Sequence, residues 1–251
     1  MLLTLEGVFS QILFMVSAMN SLVIRERTPF WFMVYGVYLY FCSTSLRRAS
    51  RALGPWVVRS HVAVWKWIQR LSCLAERFTI NRREVRCILV DETYIRLGPL
   101  EAWLWLALDP ENRKFLGFHL SRTRNILVAY QFLMELRRRY GGKPLYTDGA
   151  NWYPLAARWA RLRHTVYDDD LKNIMERFVE TVKDRLECFD DYFPCLREGC
   201  DHAHIHNWFS VYALIYNHIR GHTTLGRPPR GDLEDIEETE RLQSLLRRTL
   251  S

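Results

Sequence analysis

Three acidic residues have the types and settings for metal-assisted chemistry. Asp91 closes the apolar run Cys87-Ile88-Leu89-Val90 within VDETYI, and Asp148 follows Leu145-Tyr146-Thr147 within LYTDG. Glu176 lies in NIMERFVETVKDR, a segment with helical spacing. Carboxylates at the ends of buried strands, joined by a third from a helix, can hold two divalent cations about 4 Å apart, and such a pair can drive in-line attack on a phosphodiester. Taken singly, each signal is weak. A strand-end Asp is most often a turn residue, and a helical Glu usually faces solvent. Glu180, four residues on and on a similar face, is the rival to Glu176. Glu92 points away from Asp91 across the strand, because successive side chains alternate. Asp168, Asp169 and Asp170 read as a solvated loop or a helix cap.

Helix geometry adds helpers. Seven steps of roughly 100° return to the same face, so Lys183 shares a face with Glu176 and could reach a phosphate. Asn173, one turn before Glu176, could meet the scissile end. Gly149 after Asp148 leaves room for the backbone to turn and for a substrate to approach.

The elements that must position these groups follow from the pattern. Ile88–Leu97, Trp103–Leu108 and Phe115–Leu120 read as three strands separated by turns (Leu97-Gly98-Pro99 and Asp109-Pro110-Glu111-Asn112), an antiparallel meander. Asn125–Tyr140 has helical spacing and stops at Gly141-Gly142. A strand over 144–147, a helix over 153–161, a strand over 164–167 and a helix over 171–185 come next. The predicted fold class is therefore α/β: a ribonuclease H-like (integrase-type) core with a five-stranded mixed sheet flanked by helices. In that topology the first and fourth strands are neighbours, which brings Asp91 to Asp148. His204–Arg220 reads as a buried amphipathic helix and Asp232–Leu250 as a final amphipathic segment.

Upstream, residues 43–71 read as two short helices with a tight break, the pattern of a helix-turn-helix. Ser43, Thr44 or Ser45 can cap the first helix, which packs Leu46, Ala49 and Leu53 inward before Gly54-Pro55 ends it. Ser60 can cap the second, with Val62, Val64, Trp65 and Ile68 available for a core. Its outward residues, drawn from His61, Ala63, Lys66, Trp67 and Arg70, would face DNA. Residues 43–86 carry ten Lys or Arg, Arg47 and Arg48 among them, against only Glu76 and Glu84. This one segment accounts for the whole net charge of +7 in a chain of 251 residues with pI near 9.2. A polyanionic partner suits that imbalance. A plain helical hairpin with a solvated basic face is the bland alternative.

At 49% hydrophobic residues the chain has material for a core. The apolar first forty residues are interrupted by Arg25, Glu26 and Arg27, and the flanking stretches are too short or too polar for a membrane span. They read as buried helices. With no export signal, a cytoplasmic, nucleoid-associated protein with reduced cysteines is expected, with no membrane partner and no small-molecule substrate.

The blocks DETYI, YTDG, NIMERFVETVKDR and YNHIRGHTTLG occur in that order over roughly residues 30–230. Together they resemble the DDE-type transposases of bacterial and archaeal insertion sequences, and the IS six family in particular. The 28-residue interval from Asp148 to Glu176 is shorter than is common there. The resemblance implies a ribonuclease H-like core and two Mg²⁺ or Mn²⁺ ions held by Asp91, Asp148 and Glu176. It also implies binding of terminal inverted repeats, with 3′-end cleavage and strand transfer. Lys183 and Arg185 would position phosphates. Asn217, Arg220 and His222 would contact DNA or brace the site, or simply end a helix. Synapsis of two DNA ends calls for a homo-oligomer. A DNA-binding regulator, or a catalytically silent derivative, is the alternative class.

The division expected is an apolar segment over 1–30, a helix-turn-helix domain over 31–78, a linker over 79–86, a catalytic core over 87–222 and a C-terminal helix over 223–251. Cys195, Cys200 and His204 could form part of a structural zinc site, but their spacing matches no common zinc module, and a loop docked on the core is the favoured reading. Most of the nine Trp read as core. Trp152, just after the Asp148 turn, is the best placed to stack on a splayed base.

Overall fold

A computed structural model of the chain describes residues 28–42, 45–75, 80–97, 100–187 and 202–220, with 225 and 229. The apolar segment before residue 28, Cys188, Cys195, Cys200, His222 and the amphipathic segment 232–250 lie outside the described residues.

Strands β1 (Ile88–Leu97), β2 (Leu100–Asp109) and β3 (Lys114–Ser121) form the expected antiparallel meander. Helix α4 (Ile126–Tyr140) then carries the chain back to β4 (Leu145–Thr147), and α5 (Tyr153–Trp159) carries it to β5 (His164–Val166). Both short strands run parallel to β1, and the sheet order is β3-β2-β1-β4-β5. This is the ribonuclease H-like arrangement. Asn125 starts α4 by accepting the Leu127 and Val128 N–H groups through its side-chain oxygen. Gly141, at φ 86°, stops the helix in a conformation that a side chain would resist.

Each face of the sheet is covered by its own apolar layer. Ile88, Val90, Trp105, Ala107 and Leu145 face α4 and α5, where Phe132, Leu133, Leu136, Tyr153 and Ala156 meet them. Leu89, Leu104, Leu106, Leu108 and Phe115 face the other way. They meet α6 (Asp169–Glu187) through Met175, Phe178 and Val182, and α7 (His202–His218) through Trp208, Phe209 and Tyr212. A strand buried on both faces reads as a near-continuous apolar run, and Ile88–Val90 shows it.

Upstream of the sheet lie α1 (Phe30–Phe41), α2 (Leu46–Leu53) and α3 (His61–Ala75). Ser45 caps α2 by accepting the Arg48 N–H at 3.2 Å, and Ser60 caps α3 by accepting the Ala63 N–H at 3.3 Å. Ala49, Leu53, Val64 and Ile68 are buried as expected. Two residues depart from expectation. Val62 is exposed, and Trp67, which the sequence leaves open as a DNA-facing residue, is buried. Its ring packs beside Gly36 of α1, where a Cβ would lie 3.1 Å from the indole and 2.7 Å from Leu53. The three helices do not form a separate core. Their apolar residues join α6, α7 and the sheet in one continuous cluster.

Asn217 shows how α7 is fastened. Its side-chain amide accepts the Phe115 N–H at 2.8 Å and donates to the Phe115 carbonyl at 2.9 Å. It thus satisfies both backbone groups of a residue on the edge strand β3. Asn217 thus braces the edge strand β3 against α7. Asn217→Ala would strand a buried N–H and carbonyl, and is expected to cost about 2–3 kcal/mol of unfolding free energy. A shift of the urea midpoint without a change in slope would report it.

Candidate active site

β1 and β4 pair in parallel with Ile88 opposite Leu145 and Leu89 opposite Tyr146. Two residues further along each strand come Asp91 and Asp148. Continuing that register sets Asp91, partway along β1, level with Asp148, one residue past the end of β4. Asp91 shares its side of β1 with Leu89, toward α6. Both carboxylates are held by their own backbone. Asp91 accepts the Glu92 N–H at 2.8 Å, and Asp148 accepts the Ala150 N–H at 3.1 Å. Below Asp148, the Thr147 hydroxyl and the His164 ring nitrogen lie 2.8 Å apart and tie β4 to β5.

The electrostatics show what has been gathered. Burial pushes the Asp91 carboxyl up to about 7, and the charges of Glu92, Asp148 and Glu176 push it the same way. Tyr167, just past β5, feels Asp91, Asp148, Glu176 and Glu92 together; burial first, then those four charges, hold its phenol in the protonated form. The three predicted carboxylates are thus close enough to influence one another's charge, Glu176 from α6. Its side chain is 58% exposed and lies 3.8 Å from Lys172. Among the described residues, no three His, Cys, Asp or Glu side chains already stand at metal-ligand spacing. The donor chemistry nonetheless fits a hard divalent cation: the donors are carboxylate oxygens, and the charged groups that act most strongly on Asp91 are themselves negative.

Four residues of the site escape sequence reading. Glu92 leaves β1 on the face opposite Asp91, as alternation requires, yet its charge acts on Asp91 across the strand. Its side chain is 2% exposed. It accepts a short hydrogen bond from the Tyr153 hydroxyl and pairs with Arg124 at 3.5 Å. Burial raises its carboxyl, Asp148 adds to the rise, and Tyr153 and Arg124 oppose it. The guanidinium of Arg124 lies over the Trp103 ring at 4.1 Å and over the Trp152 ring at 4.6 Å. Trp152 therefore presents a face to Arg124, where the sequence suggested a splayed base. Tyr153 and Tyr167 complete the group. Only the adjacency of Glu92 to Asp91 and of Trp152-Tyr153 to Asp148 hints at any of this in the sequence.

The predicted phosphate and DNA contacts divide. Asn173 is exposed and Lys183 half-buried on α6. Arg47, Arg48, Lys66 and Arg70 are exposed on α2 and α3, and His61 is half-buried at the start of α3. Arg185 is a correction. It is buried, donates to the Tyr40 carbonyl, and stacks 4.2 Å over the Tyr40 ring. Burial lowers its pKa, and it belongs to the helix packing rather than to any DNA surface. Met175, Phe178, Val182 and Arg185 fall at helical spacing, so the periodicity carried this warning. His204 is half-buried beside Trp65, whereas its proposed zinc partners lie outside the described residues.

Residues 85–189 match the family model described as a DDE domain, of the IS240 transposase type. Asp91, Asp148 and Glu176 all fall within the matched span. An uncharacterised protein of Methanocaldococcus jannaschii is 26% identical over 200 residues, covering 79% of this chain and 91% of its own length. The catalytic core domain of BIV integrase aligns at a TM-score of 0.43 and 17% identity, over 63% of this chain and 98% of its own.

The raised Asp91 carboxyl has a measurable consequence in metal-free protein. Its folded value near 7 lies above the unfolded value of about 4. The stability it contributes is fully present below about pH 4 and is lost as pH rises through 7. Asp91→Asn should remove this slope and leave the variant more stable than wild type at pH 8, on the order of 2–4 kcal/mol. Thermal melts in EDTA across pH 5–8 would test it.

Proposed function

We propose that this protein is an insertion-sequence transposase that binds terminal inverted repeats, cleaves DNA 3′ ends and transfers them to target DNA. One observation carries the reading: within the span that matches a DDE domain, the parallel pairing of β1 and β4 sets Asp91 level with Asp148, and Glu176 adds its charge from α6. In this reading Asp91, Asp148 and Glu176 hold two Mg²⁺ or Mn²⁺ ions. When bound, such a pair supplies a lowered pKa for the attacking water and charge stabilisation for the leaving 3′ oxygen.

The chain's own groups do the rest. The backbone hydrogen bonds to Asp91 and Asp148 fix one oxygen of each. Lys183 and Asn173 flank Glu176 on α6 and orient the phosphodiester. The freed 3′ hydroxyl attacks the target at the same carboxylates, so no Ser or Tyr nucleophile is required. α2 and α3 serve as a helix-turn-helix. Its outward residues Arg47, Arg48, His61, Lys66 and Arg70 meet the duplex, some at bases and some at phosphate. Two DNA ends must be held together for joining, which makes a homo-oligomer the working form.

Supercoiled plasmid with Mg²⁺ or Mn²⁺ should be nicked by the wild type. Asp91→Asn, Asp148→Asn and Glu176→Gln should each reduce the rate about 100-fold or more while duplex binding persists. Full activity in Glu176→Gln with none in Glu180→Gln would move the third ligand to Glu180. A pre-cut 3′-hydroxyl end incubated with target plasmid distinguishes a transposase, which joins them, from a simple nuclease. Binding without nicking or joining would make the chain a DNA-binding regulator or a silent derivative.

The helical region has its own test. Replacing both Lys66 and Arg70 with Gln should weaken duplex binding and lower the slope of log affinity against log salt by about 2. An unchanged slope would remove α3 from the DNA surface.

A further inference from the structure

Four carboxylates in one place repel the polyanion on which the proposed reaction acts. Arg124 is the cation set into their rim. It sits in the loop between β3 and α4, and its guanidinium lies between the faces of Trp103 and Trp152, at 4.1 and 4.6 Å. One of its terminal nitrogens, Nη1, lies 3.5 Å from Glu92 Oε1. Glu92 is in turn buried and accepts the Tyr153 hydroxyl. The side chain is nonetheless 39% exposed. A guanidinium carries five N–H donors on three nitrogens. The single long contact to Glu92 engages one of those nitrogens, and the two indoles occupy the flat faces. With the side chain 39% exposed, part of the guanidinium remains accessible to solvent.

We infer that Arg124 is a phosphate-positioning residue: its accessible part binds a backbone phosphate of the DNA beside the carboxylates. This rests on the reading of the site as one that acts on DNA. A group needed only to neutralise Glu92 has no use for that exposure. Two indole walls and a buried carboxylate hold the guanidinium in one orientation before the DNA arrives. Little side-chain entropy then remains to be lost when the phosphate binds. A fork with this fixed plane matches phosphate oxygens in pairs.

The test uses the full chain with Mn²⁺ and a fluorescein-labelled duplex of mixed sequence. Anisotropy is read across a KCl series, and KM and kcat for plasmid nicking are measured in parallel. Arg124→Gln should raise Kd and KM about 5–10-fold and lower the salt slope by about 1, the value of one phosphate contact. Mn²⁺ binding, read by calorimetry without DNA, and the thermal midpoint should stay at wild-type values. Arg124→Lys and Trp152→Leu keep the charge but loosen the fork. They should keep the slope and raise Kd by a smaller factor, and they serve as the test should Arg124→Gln not fold. An unchanged Kd and slope in Arg124→Gln, beside a wild type that binds and nicks, overturns this inference alone. So does an unchanged slope with weakened Mn²⁺ binding or a lowered midpoint, which would make Arg124 a support for Glu92 only. A wild type that neither binds nor nicks DNA overturns the parent reading as well.

Discussion

The arrangement of this molecule depends on the high cost of burying carboxylates at the end of a sheet. β1 is covered on both faces, and Asp91 lies partway along it where water is scarce. An ionised carboxylate there lacks solvation and meets three more of its kind. The protein offsets part of that cost locally, with backbone N–H donors to Asp91 and Asp148 and with Tyr153 and Arg124 at Glu92. What remains is a concentration of negative charge that hard cations would relieve. Register produces the concentration: one parallel pairing sets Asp91 on β1 level with Asp148 just past β4.

The opposite faces of β1 divide the labour. Toward α6, Asp91 meets the helix that brings Glu176. Toward α5, Glu92 is fastened by Tyr153 and clamped by Arg124, so the second carboxylate belongs to a rigid polar plug between Trp103, Trp152 and Trp105. The pleat keeps the two acids from sharing one ligand set, while their closeness lets each feel the other through the strand. Neighbouring residues of like charge can therefore hold different posts.

Much of this was legible in the sequence. Regular alternation and apolar runs gave β1, β2 and β3, and Gly141 closed α4 where the pattern said it would. The pairing of β1 with β4 followed from the order of strands and helices, and with it the meeting of Asp91 and Asp148. The rest was hidden for identifiable reasons. Arg124 stands in a polar loop with no period to read, and its two indole partners come from separate strands and loops. Trp67 looked outward on a short helix because the sequence does not show that α1 places a glycine against it. The charge of Arg185 suggests a DNA contact, whereas its place on the stripe of Met175, Phe178 and Val182 buries it.

The shared apolar cluster determines how the chain can be taken apart. Phe41 and Tyr40 of α1 touch Trp208 of α7 and Arg185 of α6, and Gln69 of α3 bonds to the α7 backbone and to Asn207. Severing the polypeptide before β1 would leave those aromatic surfaces wet on both fragments. Grafting another protein's recognition helices onto this sheet would require recutting α6 and α7 to fit. The inward residues of α2 and α3 belong to the same packed body as β1, so under the proposed function only their outward residues are free to vary with the target.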